Sequence, residues 1–136
     1  LHVFISRDNP LAMKKKLTME DLKPYPFIQY EQGNEGSFYF AEEAVWPDYA
    51  PKQINVTDRA TILNFIIGLN GYTVCTGIDN GDLNNERIVT VPLESDETML
   101  LGWITNERAK LSHPAQIYLD KLKEVIAEHG YTILSE

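Results

Sequence analysis

Few side chains in these 136 residues stand at spacings that support chemistry. His2, His113 and His129 show none of the short intervals by which a helix or turn presents ligands to a zinc ion. Asp79-Asn80-Gly81-Asp82 places carboxylates beside a glycine, but it lacks the EF-hand spacing and closing glutamate, and it reads as a turn. Glu42 and Glu43 are adjacent in a helical pattern, so they diverge by about 100° and make a poor acid and base pair. They read as a solvated face. Cys75, the single cysteine, lies in the strand-like run Tyr72-Thr73-Val74-Cys75-Thr76, where it serves as a small buried hydrophobe. It cannot close an internal disulfide, which points to a reducing compartment. Asn55-Val56-Thr57 matches a glycosylation triplet, a common chance match that carries weight only with a route to secretion. With no Ser, His and Asp set and no reactive-cysteine context, the residues predict neither an enzyme nor a metal or cofactor site.

The charge balance excludes a further class. Twenty acidic against twelve basic residues give a formal net charge of −8, and the single basic run is Lys14, Lys15 and Lys16. Such a field repels phosphate, so direct DNA binding by this segment is not expected. At 43% hydrophobic and 24% charged residues the composition is that of one globular domain with a sizeable core. The start, Leu1-His2-Val3-Phe4-Ile5-Ser6, has no basic n-region, and the longest apolar run, around Phe65 to Ile67, is far below the ~20 residues of a membrane span. A cytoplasmic location and no membrane contact follow as expectations. The chain opens without Met in a strand-like pattern, which reads as a segment of a longer polypeptide.

The elements that must position any site are legible from periodicity and punctuation. Residues 3–6 read as a strand that ends at the turn formers Arg7-Asp8-Asn9-Pro10. Thr18 and Asp21 have capping-box spacing, predicting a short helical turn over Met19–Leu22 that Lys23-Pro24 ends. Residues 27–30 read as a strand, 31–36 as a polar loop, and 38–46 as an amphipathic helix closed by Pro47. Ile54-Asn55-Val56 is a brief strand, after which Asp58 caps a helix apolar around most of its circumference and therefore expected to be buried. Asn70-Gly71 supplies a left-handed stop before a strand over 72–76. Residues 78–85 read as a turn, 88–92 and 99–105 as strands, and 94–98 as the loop between them. A last helix starts at or next to Pro114, with apolar Tyr118, Leu122, Val125 and Ile126, charged Asp120, Lys121, Lys123 and Glu124 toward water, and Gly130 at its end. The order β, α, β, α, β, α, β, β, β, α predicts an α/β sheet.

Several of these motifs together resemble the effector-binding domain of LysR-type transcriptional regulators. Leu17-Thr18-Met19-Glu20-Asp21-Leu22 followed by Pro24-Tyr25-Pro26-Phe27-Ile28 is similar to the turn and Pro-Phe-Ile strand of that family. Asn9-Pro10-Leu11-Ala12 resembles its His-Pro-Leu-Ala motif, with Asn9 in place of the frequent His. Gly68-Leu69-Asn70-Gly71 resembles the end of its long buried helix, where Asn70 departs from nothing essential, and Leu93, Trp103 and Ser112-His113-Pro114-Ala115 complete the pattern. The resemblance implies a periplasmic-binding-protein-like (type 2) α/β fold. Residues 3–98 would form the second Rossmann-like lobe, and 99–136 the strand and C-terminal helix that return to a first lobe. That first lobe, a dimerising linker helix and a winged helix-turn-helix would precede Leu1. A fragment of a periplasmic-type solute-binding protein is the alternative, since it shares the two-lobed architecture.

What the resemblance implies about function is binding without bond making: a small effector enters an interlobe cleft and shifts how a DNA-bound homo-oligomer, dimer or tetramer, acts at a promoter. DNA would be touched by the N-terminal domain alone. The family's usual contacts from this lobe correspond here to residues 33–38, making Gly36, Ser37 and Phe38 the first candidates. Free amides at a helix start favour an anion and Ser37 adds a hydroxyl, although Ser37 is equally well explained as a plain helix cap. Thr57 and Asp58, with Arg59 as a compensating cation, are second candidates whose simpler reading is cap and surface charge. Thr76, just past a buried strand, is the third. Glu31 and Glu35 flank the loop and oppose an anion, so an amine-bearing or neutral effector fits the loop as well as the family's common carboxylates.

Overall fold

The computed structural model describes residues 1–31, 50–78, 86–108 and 110–134. The expected helix over 38–46 and most of the turn over 78–85 lie outside the described residues. The chain divides into two compact units, Leu1–Met99 and Leu100–Glu136.

The first unit is built on a five-stranded mixed sheet of order β3-β2-β4-β1-β5. Its strands are β1 (His2–Ser6), β2 (Phe27–Tyr30), β3 (Gln53–Val56), β4 (Tyr72–Cys75) and β5 (Ile88–Pro92). β2 runs parallel to both β3 and β4, while β1 lies antiparallel between β4 and β5. β1 therefore has a partner on each side and supplies Val3 and Ile5, both fully buried. The period-two alternation sorts side chains onto two faces. Val3, Ile5, Phe27, Tyr72, Val74 and Val91 pack with Leu11, Leu17, Leu22 and Leu93 on one face. On the other, Ile28, Val56 and Ile88 meet Ile62 and Ile66 of the helix α2 (Arg59–Gly68).

Short elements close the first face. Asn9 caps a 3-10 turn at Pro10–Met13, its Oδ1 accepting from the Leu11 N–H at 2.8 Å, with Pro10 tolerated because the first turn has unbonded N–H groups anyway. The predicted capping box of α1 (Met19–Leu22) is complete: Thr18 Oγ1 accepts from Asp21 N–H at 3.4 Å, and Asp21 Oδ2 accepts from Thr18 N–H at 3.1 Å. Lys14 Nζ stands 2.7 Å from Asp21 Oδ1. Asn70 takes the expected left-handed conformation, φ 52°, just beyond α2.

Three expectations need correction. α2 is not buried all round: Ile62 and Ile66 face the sheet, Leu63, Phe65 and Ile67 are half-buried, and Leu69 at its C-cap is exposed. Only one face of α2 meets the sheet, and a helix buries the stripe that meets a partner, whatever the composition of the rest. The segment 99–105 forms no strand, and Leu100, Leu101 and Ile104 are exposed, because a strand exists only when a neighbour completes its ladder.

The third concerns the last helix, α3 (His113–Glu128), which begins next to Pro114 as predicted, has Ser112 as its N-cap, and stops before Gly130, φ 79°. Its buried residue is Leu119 rather than Tyr118, which is exposed, so the inward stripe runs through Leu119, Leu122 and Ile126. Lys123, expected to face water, is half-buried with Nζ 4.9 Å from the centre of the Trp103 ring.

Candidate functional site at the carboxyl edge of the sheet

The strand order locates the site before any side chain is considered. β2 is followed by β3 on one side of it, whereas its other neighbour β4, reached through α2, is followed by β5 toward the opposite side of the sheet. Connections that leave in opposite directions open a crevice at the carboxyl ends of the two strands between them, here β2 and β4. The residues that emerge there are Tyr30 and Glu31 from β2, Thr57 and Asp58 from β3, and Thr76 and Gly77 from β4. Glu31 N–H donates to the Val56 carbonyl at 2.7 Å, so the β2–β3 ladder extends to this edge. With strands about 4.8 Å apart, the β3 and β4 exits are separated by about 10 Å, the width of one small molecule lying across β2.

Of the predicted residues, Thr57, Asp58 and Thr76 thus share one edge, while Gly36, Ser37, Phe38 and Glu35 lie outside the described residues. Asp58 is engaged by its own helix: Oδ2 accepts from both the hydroxyl and the backbone N–H of Thr61, each at 2.8 Å. The Thr61 hydroxyl, then the Thr61 N–H, lower its pKa from the ordinary value of 3.8, partly opposed by desolvation. Its geometry is that of a helix cap. Arg59 places its guanidinium 5.1 Å from the centre of the Tyr30 ring, holding a cation over the carboxyl end of β2. Thr76 Oγ1 accepts from the Ile78 N–H at 3.3 Å, so its oxygen is positioned by a local turn at the crevice.

Sequence reasoning weighed His2 only as a metal ligand and missed its place here. Because β1 is antiparallel to β4, His2 pairs with Cys75, and its ring packs against Gly77, whose φ is 88°. A side chain at Gly77 would collide with that ring, so the glycine is required for both its conformation and its neighbour. Burial lowers the His2 pKa below 6.5, partly opposed by a hydrogen bond with the Thr76 backbone. No sequence signal marks this contact, since it depends on a register between segments about 70 residues apart. Among the described residues, no group of three His, Cys, Asp or Glu side chains is placed to hold a metal ion. No helix among them is long and apolar enough to cross a membrane.

A scan against protein-family models gives no match, and neither does a comparison with curated proteins. Solved structures do match. The PA01 protein of Pseudomonas aeruginosa, ascribed to the LysR family of transcriptional regulators, aligns over 93% of this chain with TM-score 0.61 and 17% identity. HinK, a LysR family regulator from the same organism, aligns over 90% with TM-score 0.57 and 16% identity. The effector-binding domain of QuiR, solved in complex with shikimate, aligns over 94% with TM-score 0.50 and 11% identity. The chain spans 45% of the PA01 protein, 43% of HinK and 61% of the QuiR domain. The mixed α/β fold is that of LysR effector-binding domains, a periplasmic-binding-protein-like fold.

Proposed function

We propose that this chain is the ligand-sensing part of a LysR-type transcription factor, and that a small effector binds at the carboxyl edge of the β3-β2-β4 parallel set. In this reading the unit Leu1–Met99 is the second lobe of the effector domain, and Leu100–Glu136 returns to a first lobe elsewhere in the polypeptide. The effector is bound and released unchanged, with Gly36, Ser37, Phe38, Thr57 and Thr76 as its contacts from this lobe and Asp58 as the cap that holds Thr57 in place. DNA binding belongs to a separate domain of a cytoplasmic homo-oligomer, in keeping with the −8 charge here.

The observation that carries the proposal is the coincidence of two features. The topological crevice gathers Thr57 and Thr76, and the fold around it is that of regulatory domains, one of which, QuiR, binds shikimate. Glu31 at the crevice mouth, with Glu35 five residues after Tyr30 in sequence, favours an effector with an amine or hydroxyls over a multiply charged anion. The test is a thermal-shift screen of the complete effector domain against metabolites, followed by titration of each hit into Thr76→Val and Ser37→Ala variants. Each substitution removes one hydrogen bond and is expected to weaken binding by about five- to tenfold. Undiminished binding in a variant lacking the Ser37, Phe38 and Thr76 side chains would remove the site. A secretion signal instead of a helix-turn-helix upstream in the gene would remove the transcription-factor reading.

A further inference from the structure

We propose that Asn70 is a deamidation site that the fold holds closed, with the buried Asn9 amide as its latch. Asn-Gly is the dipeptide in which the following backbone nitrogen meets least hindrance in attacking the asparagine side chain, because glycine carries no Cβ. In that reaction the Gly71 nitrogen bonds to Asn70 Cγ, and the Asn70 amide nitrogen leaves as ammonia with the proton from Gly71. Water then opens the succinimide to aspartate or isoaspartate. Nothing is oxidised or reduced, and water, the single co-reactant, reaches the exposed Asn70.

Both reacting groups are tied elsewhere in this fold. The Gly71 N–H donates to the Ile66 carbonyl at 3.1 Å. Gly71 is also wedged against β2, where even a Cβ would stand 2.9 Å from Ile28 Cγ1 and 3.0 Å from the Pro26 carbonyl oxygen. The Asn70 Oδ1 accepts from Asn9 Nδ2 at 2.9 Å, and Asn9 is only 2% exposed. Its own Oδ1 is held by the Leu11 N–H, so the amide that latches Asn70 has little freedom to turn away. Attack requires the Gly71 nitrogen to be freed from the Ile66 carbonyl and Asn70 Cγ to come within bonding distance of it, a turn of the side chain that the Asn9 contact restrains. Isoaspartate would then insert an extra backbone carbon between α2 and β4, the strand that carries Thr76 to the crevice.

The experiment ages the chain in mildly alkaline buffer, folded and in urea, and follows conversion at residue 70 by peptide mass spectrometry. Asn9→Ser keeps an oxygen for the Leu11 N–H but is too short to reach Asn70. Val91→Ala loses stability away from the turn and separates local release from global unfolding. Folded wild type is expected to convert at least about tenfold more slowly than the unfolded chain. Folded Asn9→Ser is expected to convert about fivefold faster than folded wild type, the effect of one hydrogen bond, and faster than Val91→Ala. Equal rates for folded and unfolded wild type overturn the proposal, as does an Asn9→Ser rate no higher than that of Val91→Ala. Should Asn9→Ser fail to fold, the Asn9 side-chain amide protons of the wild type decide: the latch requires slow exchange, and exchange at the rate of a free amide overturns it.

Discussion

Asp58 and Asp21 owe their lowered pKa values to nearby donors. Thr61 groups donate to Asp58, and Lys14, then the Thr18 N–H, act on Asp21. Their folded values lie below the unfolded value of 3.8, so both contribute stability that is present above 3.8 and lost as pH falls through the lower folded values. Replacing Asp58 by Asn keeps a cap acceptor but removes the titration. The Tm of Asp58→Asn should therefore fall less on acidification than that of the wild type, and parallel curves in a pH series of thermal melts would contradict this. Thr73 offers a test of the opposite sign. It is 5% exposed, and its hydroxyl has no hydrogen-bond partner among the described residues. Thr73→Val should stabilise by about 1 kcal/mol, read as a higher urea midpoint, because it removes an unsatisfied hydroxyl from a strand position suited to Val.

At the scale of elements, α2 shows what holds the crevice in place. Ile66 is fully buried and packs with Ile28 of β2, so Ile66→Ala should cost about 2–5 kcal/mol in urea unfolding through lost transfer energy and a residual cavity. Composition alone assigns similar weight to every apolar residue from Ile62 to Leu69, whereas Leu69 is 48% exposed. The caps of α1 and α2 were legible because they are local: Thr18 with Asp21 and Asp58 with Thr61 each satisfy an N–H group within three residues. The phase of α3 was not. Tyr118 and Leu119 are neighbours with similar apolar character, and which one turns inward depends on what the helix packs against.

At the scale of the molecule, the unit Leu100–Glu136 presents Leu100, Leu101, Ile104, Ile117 and Leu134 to solvent. If it returns to a first lobe, limited proteolysis of this 136-residue chain should cut within 100–105 well before the sheet is attacked. On that reading the same bonds should resist cleavage in a polypeptide that carries the first lobe. Equal cutting rates in the two would count against the return to another lobe.

The sequence by itself determined most of the element types, their caps and the α/β class, because those follow from contacts within a few residues. It also brought forward Thr57 and Asp58, at a helix start, and Thr76, just past a strand, as candidates. Only the tertiary structure decided that they share one edge, that His2 packs against Gly77 beside them, and that Asn9 latches Asn70. The physical reason is that strand order and register are set by pairings between distant segments, which local propensity does not encode.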